Sequence, residues 1–155
     1  MKNKLGKLIF SILLCEVVGG IGSLFTSPAI NGWYETLEKP FFNPPNWIFA
    51  PVWTFLFLLM GIAFYLVFIS PEKKGKAILA FSVQLFLNVL WSFLFFGLRS
   101  PFFALLEIIV LWLAIFVTIK KFSLINRVAA LALLPYLIWV SFATVLNFSI
   151  WMLNF

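Results

Sequence analysis

The sequence predicts an all-α integral membrane protein, a single transmembrane domain over residues 1–155 folded as a five-transmembrane-helix bundle, and three observations carry that prediction. Hydrophobic residues make up 64% of the chain and charged residues 10%, more apolar surface than a soluble domain of this size can bury. The apolar residues fall into runs of about 18 to 26, enough for a hydrocarbon core of about 30 Å at 1.5 Å per residue. The 11 basic residues gather in short clusters between the runs, which is a topology signal rather than a nucleic-acid surface.

The first run spans about residues 8–25, after Lys2, Lys4 and Lys7. A basic start, a short apolar region and the small residues Gly19, Gly20, Gly22 and Ser23 also fit a cleaved signal peptide. A lipobox at Leu13-Leu14-Cys15 fits less well, because the position before the cysteine usually holds a small residue. The second run, about 47–69, has Pro51 near its entrance, where a missing N–H costs least. A polar turn, Pro71 to Lys76, leads to the third run at about 77–98. The fourth, 101–119, is the shortest, and the fifth covers about 128–153.

In a five-helix arrangement every basic residue except Lys39 and Arg99 falls on one side. That places the amino terminus in the cytoplasm and the carboxyl terminus outside. It also favours retaining the first helix, since its removal would take three lysines from the basic side. No arm resembling a transit peptide precedes the first helix, which favours a bacterial plasma membrane.

The first connection, about 26–46, with the start of the second helix, forms the stretch WYETLEKPFFNPPNWIFAPVW from Trp33 to Trp53. Pro40, Pro44, Pro45 and Pro51 fix φ and push each preceding residue out of the α region, so the part before Trp47 should be mostly extended or turned. Its aromatic faces need something to pack on, and Trp and Tyr each add a polar tip that needs a partner. The stretch is expected to be a lid or pocket wall on the outer face.

Composition removes whole classes of chemistry. With no histidine and a single cysteine, a Ser-His-Asp or Cys-His site, a histidine-rich zinc site and an intramolecular disulfide are all excluded. The candidate polar groups lie inside the spans. Gln84, Asn88 and Trp91 form one stripe of the third helix, and Trp139, Ala143 and Asn147 form another on the fifth, just after Pro135. Amides in lipid are costly without partners, so both stripes should face the bundle interior. Interhelical hydrogen bonding alone would also explain them. Glu16 and Glu107 are expected to be structural or to reach towards the interface, with proton relay as the alternative.

Three blocks of residues resemble the translocator protein family, whose members are also called tryptophan-rich sensory proteins or peripheral-type benzodiazepine receptors. The first is Trp33-Tyr34, Leu37, Lys39-Pro40, Pro44-Pro45, Trp47 and Pro51-Val52-Trp53. The second is Gln84-Leu85, Leu87-Asn88, Trp91-Ser92 and Phe95-Phe96. The third is Pro135-Tyr136, Trp139, Phe142-Ala143-Thr144 and Leu146-Asn147.

The resemblance implies a ligand cavity under the first connection and a homodimer. It implies binding of protoporphyrin IX and of isoquinoline carboxamide or benzodiazepine-type ligands, with light- and oxygen-dependent degradation of the porphyrin in bacterial members. Carried over by position, Trp53 and Trp139 are the residues for degradation. Tyr34, Trp33, Pro44, Trp47, Asn88, Trp91, Ala143 and Leu146 are the ligand-binding set. Phe148 and Met152 stand where the family's cholesterol pattern needs a tyrosine and a basic residue, which counts against sterol recognition through that motif.

An indole-walled cavity suits a planar apolar macrocycle, and the absence of histidine favours a metal-free porphyrin over haem. No metal and no resident cofactor are expected, and the partners are the tetrapyrrole and membrane lipid, not nucleic acid. Lys39 and Arg99 are expected to meet the porphyrin carboxylates. A non-catalytic sensor and a transporter of porphyrins or other apolar solutes are the alternatives.

Overall fold

The computed structural model describes residues 3–155, so Lys2 lies outside the described residues. Helix α1 runs Lys4–Ile30, α2 Asn46–Phe68, α3 Gly75–Ser92, α4 Pro101–Ser123, α5 Arg127–Ala132 and α6 Leu134–Asn154. Five helical spans among the described residues are long and apolar enough to cross a membrane, with α5 and α6 counted together as one. Consecutive spans are antiparallel, and the basic ends meet: the Lys7 and Lys74 ammonium groups lie 5.7 and 5.6 Å from the Phe68 ring centre.

The helix ends differ from the sequence expectation for local reasons. α1 continues past residue 25 through Pro28 because Phe25, Ala29 and Ile30 still bury apolar surface under the first connection. α4 extends to Ser123, as Thr118 and Phe122 remain buried and Lys120 and Lys121 complement the negative helix end. The fourth span is therefore 23 residues long, as long as the second and third rather than the shortest. The last span breaks at Leu133. Pro135 has no N–H for the carbonyl of Leu131, and Leu133 N–H bonds Ala130 O instead at 3.2 Å.

The third span ends in a π turn at Phe93–Gly97, where Leu98 N–H reaches Phe93 O at 2.7 Å. Widening the helix by a residue lets the adjacent Phe95 and Phe96 both face inwards, with centroids 4.8 Å apart. Arg99 then turns the chain in the left-handed region, φ 54°.

α1 packs along α2 and α3, α4 packs along α3 and α6, and α5 lies on α2 and α4. α1 and α2 come together backbone to backbone at Gly61, where a Cβ would lie 2.6 Å from Ile12 Cα and 3.0 Å from Ser11 O. α2 and α6, by contrast, face each other through aromatic rings, Trp53 and Phe49 against Trp139. That wider spacing leaves room between them. Outward-facing residues such as Phe10, Leu13, Val17, Phe86 and Ile109 are exposed, as a surface solvated by lipid requires.

Candidate functional site

The space left by the α2–α6 separation is a cavity of about 450 Å³, bounded by α1, α2, α3 and α6 beneath the first connection. Its volume lies in the range of small-molecule sites, roughly 300–1,000 Å³. Trp53 and Trp139 stand edge to face, centroids 6.4 Å apart at 89°. Trp139 continues into Phe142 at 5.4 Å, and Trp91 stacks on Phe95 at 5.3 Å and 25°. These rings make most of the wall apolar.

The roof is the first connection, which is held at two points. A 3-10 turn, Trp33–Thr36, drops Tyr34 into the bundle, 2% exposed, against Phe49, Phe95 and Phe96. Its hydroxyl donates to Asn43 Oδ1 at 2.6 Å. Burial pushes the Tyr34 phenol well above its usual pKa, so it remains a donor throughout the physiological range.

The carboxyl-terminal helix supplies the second tie. Asn154 accepts from Glu38 N–H at 2.8 Å and donates to Glu38 O at 2.9 Å, pairing with the strand-like backbone as another chain would. Replacing Asn154 with alanine is expected to cost about 1 kcal/mol and to speed hydrogen exchange at the Glu38 amide. Unchanged exchange there would show that the roof does not depend on the tie.

The polar stripes of the third and fifth spans meet each other. Asn88 Nδ2 donates to Tyr136 Oη at 2.8 Å, Trp91 Nε1 donates to Asn147 Oδ1 at 3.1 Å, and Asn147 Nδ2 donates to Pro101 O at 2.8 Å. This network joins α3, α4 and α6 and fixes the face that the cavity sees. Gln84 lies away from the cavity, its Nε2 3.9 Å from Met60 Sδ and its Oε1 without a partner. Glu107 points into the protein rather than towards Arg99, 8% exposed, with both carboxyl oxygens unpartnered. Trp112 donates to Ser141 Oγ at 2.8 Å, a packing partner that its sequence position did not reveal.

Of the ten residues assigned to degradation and ligand binding from the sequence, seven line the cavity together: Tyr34, Trp53, Asn88, Trp91, Trp139, Ala143 and Leu146. Three do not. Trp33 packs edge-on against Phe95 at 5.8 Å, above the wall. Pro44 shapes the turn through its carbonyl, which accepts from Asn43 Nδ2 at 3.1 Å. Trp47 is 74% exposed at the amino-terminal end of α2, where an interfacial anchor would stand.

Lys39 and Arg99 are also outside the lining. The Lys39 ammonium lies 5.0 Å from the Tyr34 ring centre and donates to Glu35 O and Leu37 O, so its role is to brace the roof.

Sequence reasoning missed the α1 wall. Glu16, Gly19, Gly20, Ser23, Thr26 and Ser27 all face the cavity. The signal was present as a polar and small-residue stripe at helical spacing, which reads equally well as a close helix contact. In fact Gly19 meets the Phe57 ring and Gly22 meets Ser92, whereas Gly20 has open space beside it.

Comparison with known proteins places these features in a family context. Residues 11–152 match the model of the TspO/MBR family. The Tryptophan-rich protein TspO of Chlorobaculum tepidum is 44% identical over 157 residues, covering 99% of this chain and 99% of that protein. The protein of the same name from Archaeoglobus fulgidus is 46% identical over 149 residues, covering 96% and 97%. The Translocator protein of Homo sapiens is 35% identical over 135 residues, covering 84% and 80%.

Proposed function

The chain belongs to the TspO/MBR family of membrane proteins, and from that premise we propose that it is a membrane tetrapyrrole-binding protein that holds protoporphyrin IX in the cavity beneath the first connection and promotes its light- and oxygen-dependent degradation. The observation that carries the reading is the pair Trp53 and Trp139, perpendicular and 6.4 Å apart in the wall of a cavity of about 450 Å³. Flat, oxidisable faces at right angles suit an aromatic macrocycle on two sides.

The macrocycle supplies the chromophore and oxygen the oxidant, while the protein supplies position and two indoles that can give up electrons. The same aromatic wall would take isoquinoline carboxamide or benzodiazepine-type ligands. In this reading the protein works as a homodimer in a bacterial plasma membrane, with the Lys7 and Lys74 end in the cytoplasm and the roof outside.

The test is a dark titration of the detergent-purified protein with protoporphyrin IX, following tryptophan quenching, and then illumination with and without oxygen. Saturable quenching, followed by porphyrin absorbance loss only with both light and oxygen, is expected. Saturable binding without loss would leave a sensor or carrier, and no saturable binding would overturn the tetrapyrrole reading.

A further inference from the structure

The charge in the cavity lining is one-sided, and several of its polar protons are already committed. Ser23 donates to Gly20 O at 2.7 Å, Thr26 to Gly22 O at 3.4 Å and Thr54 to Ala50 O at 2.9 Å, so each hydroxyl proton is directed back into its own helix. One amide proton of Asn88, the indole proton of Trp91 and the hydroxyl proton of Tyr34 are likewise already placed on protein acceptors. These hydroxyls leave oxygen lone pairs to a ligand, while Ser27, Ser92 and the second amide proton of Asn88 remain as uncharged donors. No lysine or arginine lines the cavity among the described residues, and its one carboxyl group is Glu16, partly exposed on α1.

Glu16 also stands at a definite depth. It is about 21 Å along α1 from the Ile30 end at 1.5 Å per residue, so it marks the inner end while Tyr34 and Asn46 mark the roof.

We propose that Glu16 is a specificity-determining residue that makes the inner end of the cavity select a hydrogen-donating or cationic group and turn carboxylates towards the roof. A donor-rich or ammonium-bearing edge at this end would meet the one carboxyl group of the lining, and a carboxylate edge would meet that same group and no cation. In a medium of low dielectric, pairing a charge and leaving it unpaired differ strongly. The inference rests on the tetrapyrrole reading for its natural ligand but not for the charge preference itself.

The experiment compares three porphyrins of one core: protoporphyrin IX, its uncharged dimethyl ester, and a bis-amide whose two arms end in primary amines. Each is titrated in the dark into the wild type, Glu16→Gln and Glu16→Asp. Glu16→Gln is expected to lower the preference for the bis-amine over the diacid by about tenfold, the scale of one charge-assisted hydrogen bond. The dimethyl ester should shift by less than about twofold, and Glu16→Asp, which keeps the charge, should retain the preference.

An unchanged preference in Glu16→Gln overturns the proposal, and so does a parallel loss for all three ligands, which would make Glu16 a packing residue. If the wild type binds none of the porphyrins, the tetrapyrrole reading fails by itself. The charge preference is then decided with naphthylmethylamine against naphthoic acid in the same three proteins.

Discussion

Replacing both Trp53 and Trp139 with phenylalanine is expected to abolish light-dependent loss of protoporphyrin IX while leaving dark binding nearly intact. The two positions supply faces to one ligand space, and each ring also packs on protein: Trp53 against Tyr136 at 6.2 Å, Trp139 against Phe49 at 6.3 Å. Phenylalanine keeps a flat ring and most of the apolar area at each place, so the dark affinity should change by less than about 1.4 kcal/mol, or tenfold. It does not keep the oxidisable indole. Porphyrin absorbance in the illuminated double mutant should therefore decay only as fast as in detergent without protein. Decay at the wild-type rate would refute a role for the indoles, and each single mutant would show whether one of them suffices.

Gly61→Ala is expected to be the most damaging single-methyl substitution in the membrane domain. The added carbon would fall 2.6 Å from Ile12 Cα and 3.0 Å from Ser11 O, both backbone atoms of α1. No rotamer change relieves that overlap, so α1 and α2 must separate, at a cost of about 3 kcal/mol. Gly19→Ala meets the Phe57 ring at 2.5 Å, a side chain that can turn, and should cost less. Gly20→Ala meets nothing within 4 Å and should be neutral or stabilising by up to about 1 kcal/mol from helix propensity. Thermal unfolding of the three variants in detergent should rank them in that order. Equal melting temperatures would mean that α1 does not approach α2 as closely as the structure places it.

The roof shows how much of the site was readable before the structure. Three prolines and a run of aromatic residues cannot form a span, and their chemistry required a surface to pack on; Tyr34 has that surface in Phe49, Phe95 and Phe96. The same logic placed Asn88, Trp91, Trp139 and Asn147 inside, because polar side chains in lipid need partners. Which partner each one found was not readable. Asn147 reaches Pro101 O, 46 positions away in the chain, and no local pattern signals that bond.

Glu16 and Trp47 mark the opposite limit. A carboxyl group in an apolar run and a tryptophan in a resemblance motif look similar from sequence, as a polar exception and a conspicuous aromatic. One lines the cavity and the other stands at the outer surface. Helical periodicity fixes which residues share a face, but not whether that face meets a helix, a ligand space or lipid.

By itself, then, the sequence determined the membrane class, the five spans, the grouping of basic residues at one end and the stiffness of the first connection. All of these follow from composition and from short-range constraints on the backbone. Tertiary structure alone decided that α1 and α2 close at Gly61 while α2 and α6 stand apart on their aromatic rings. The cavity is the difference between those two spacings. Helix separation depends on the size of side chains from both partners at once, so the volume of the site belongs to no single stretch of the chain.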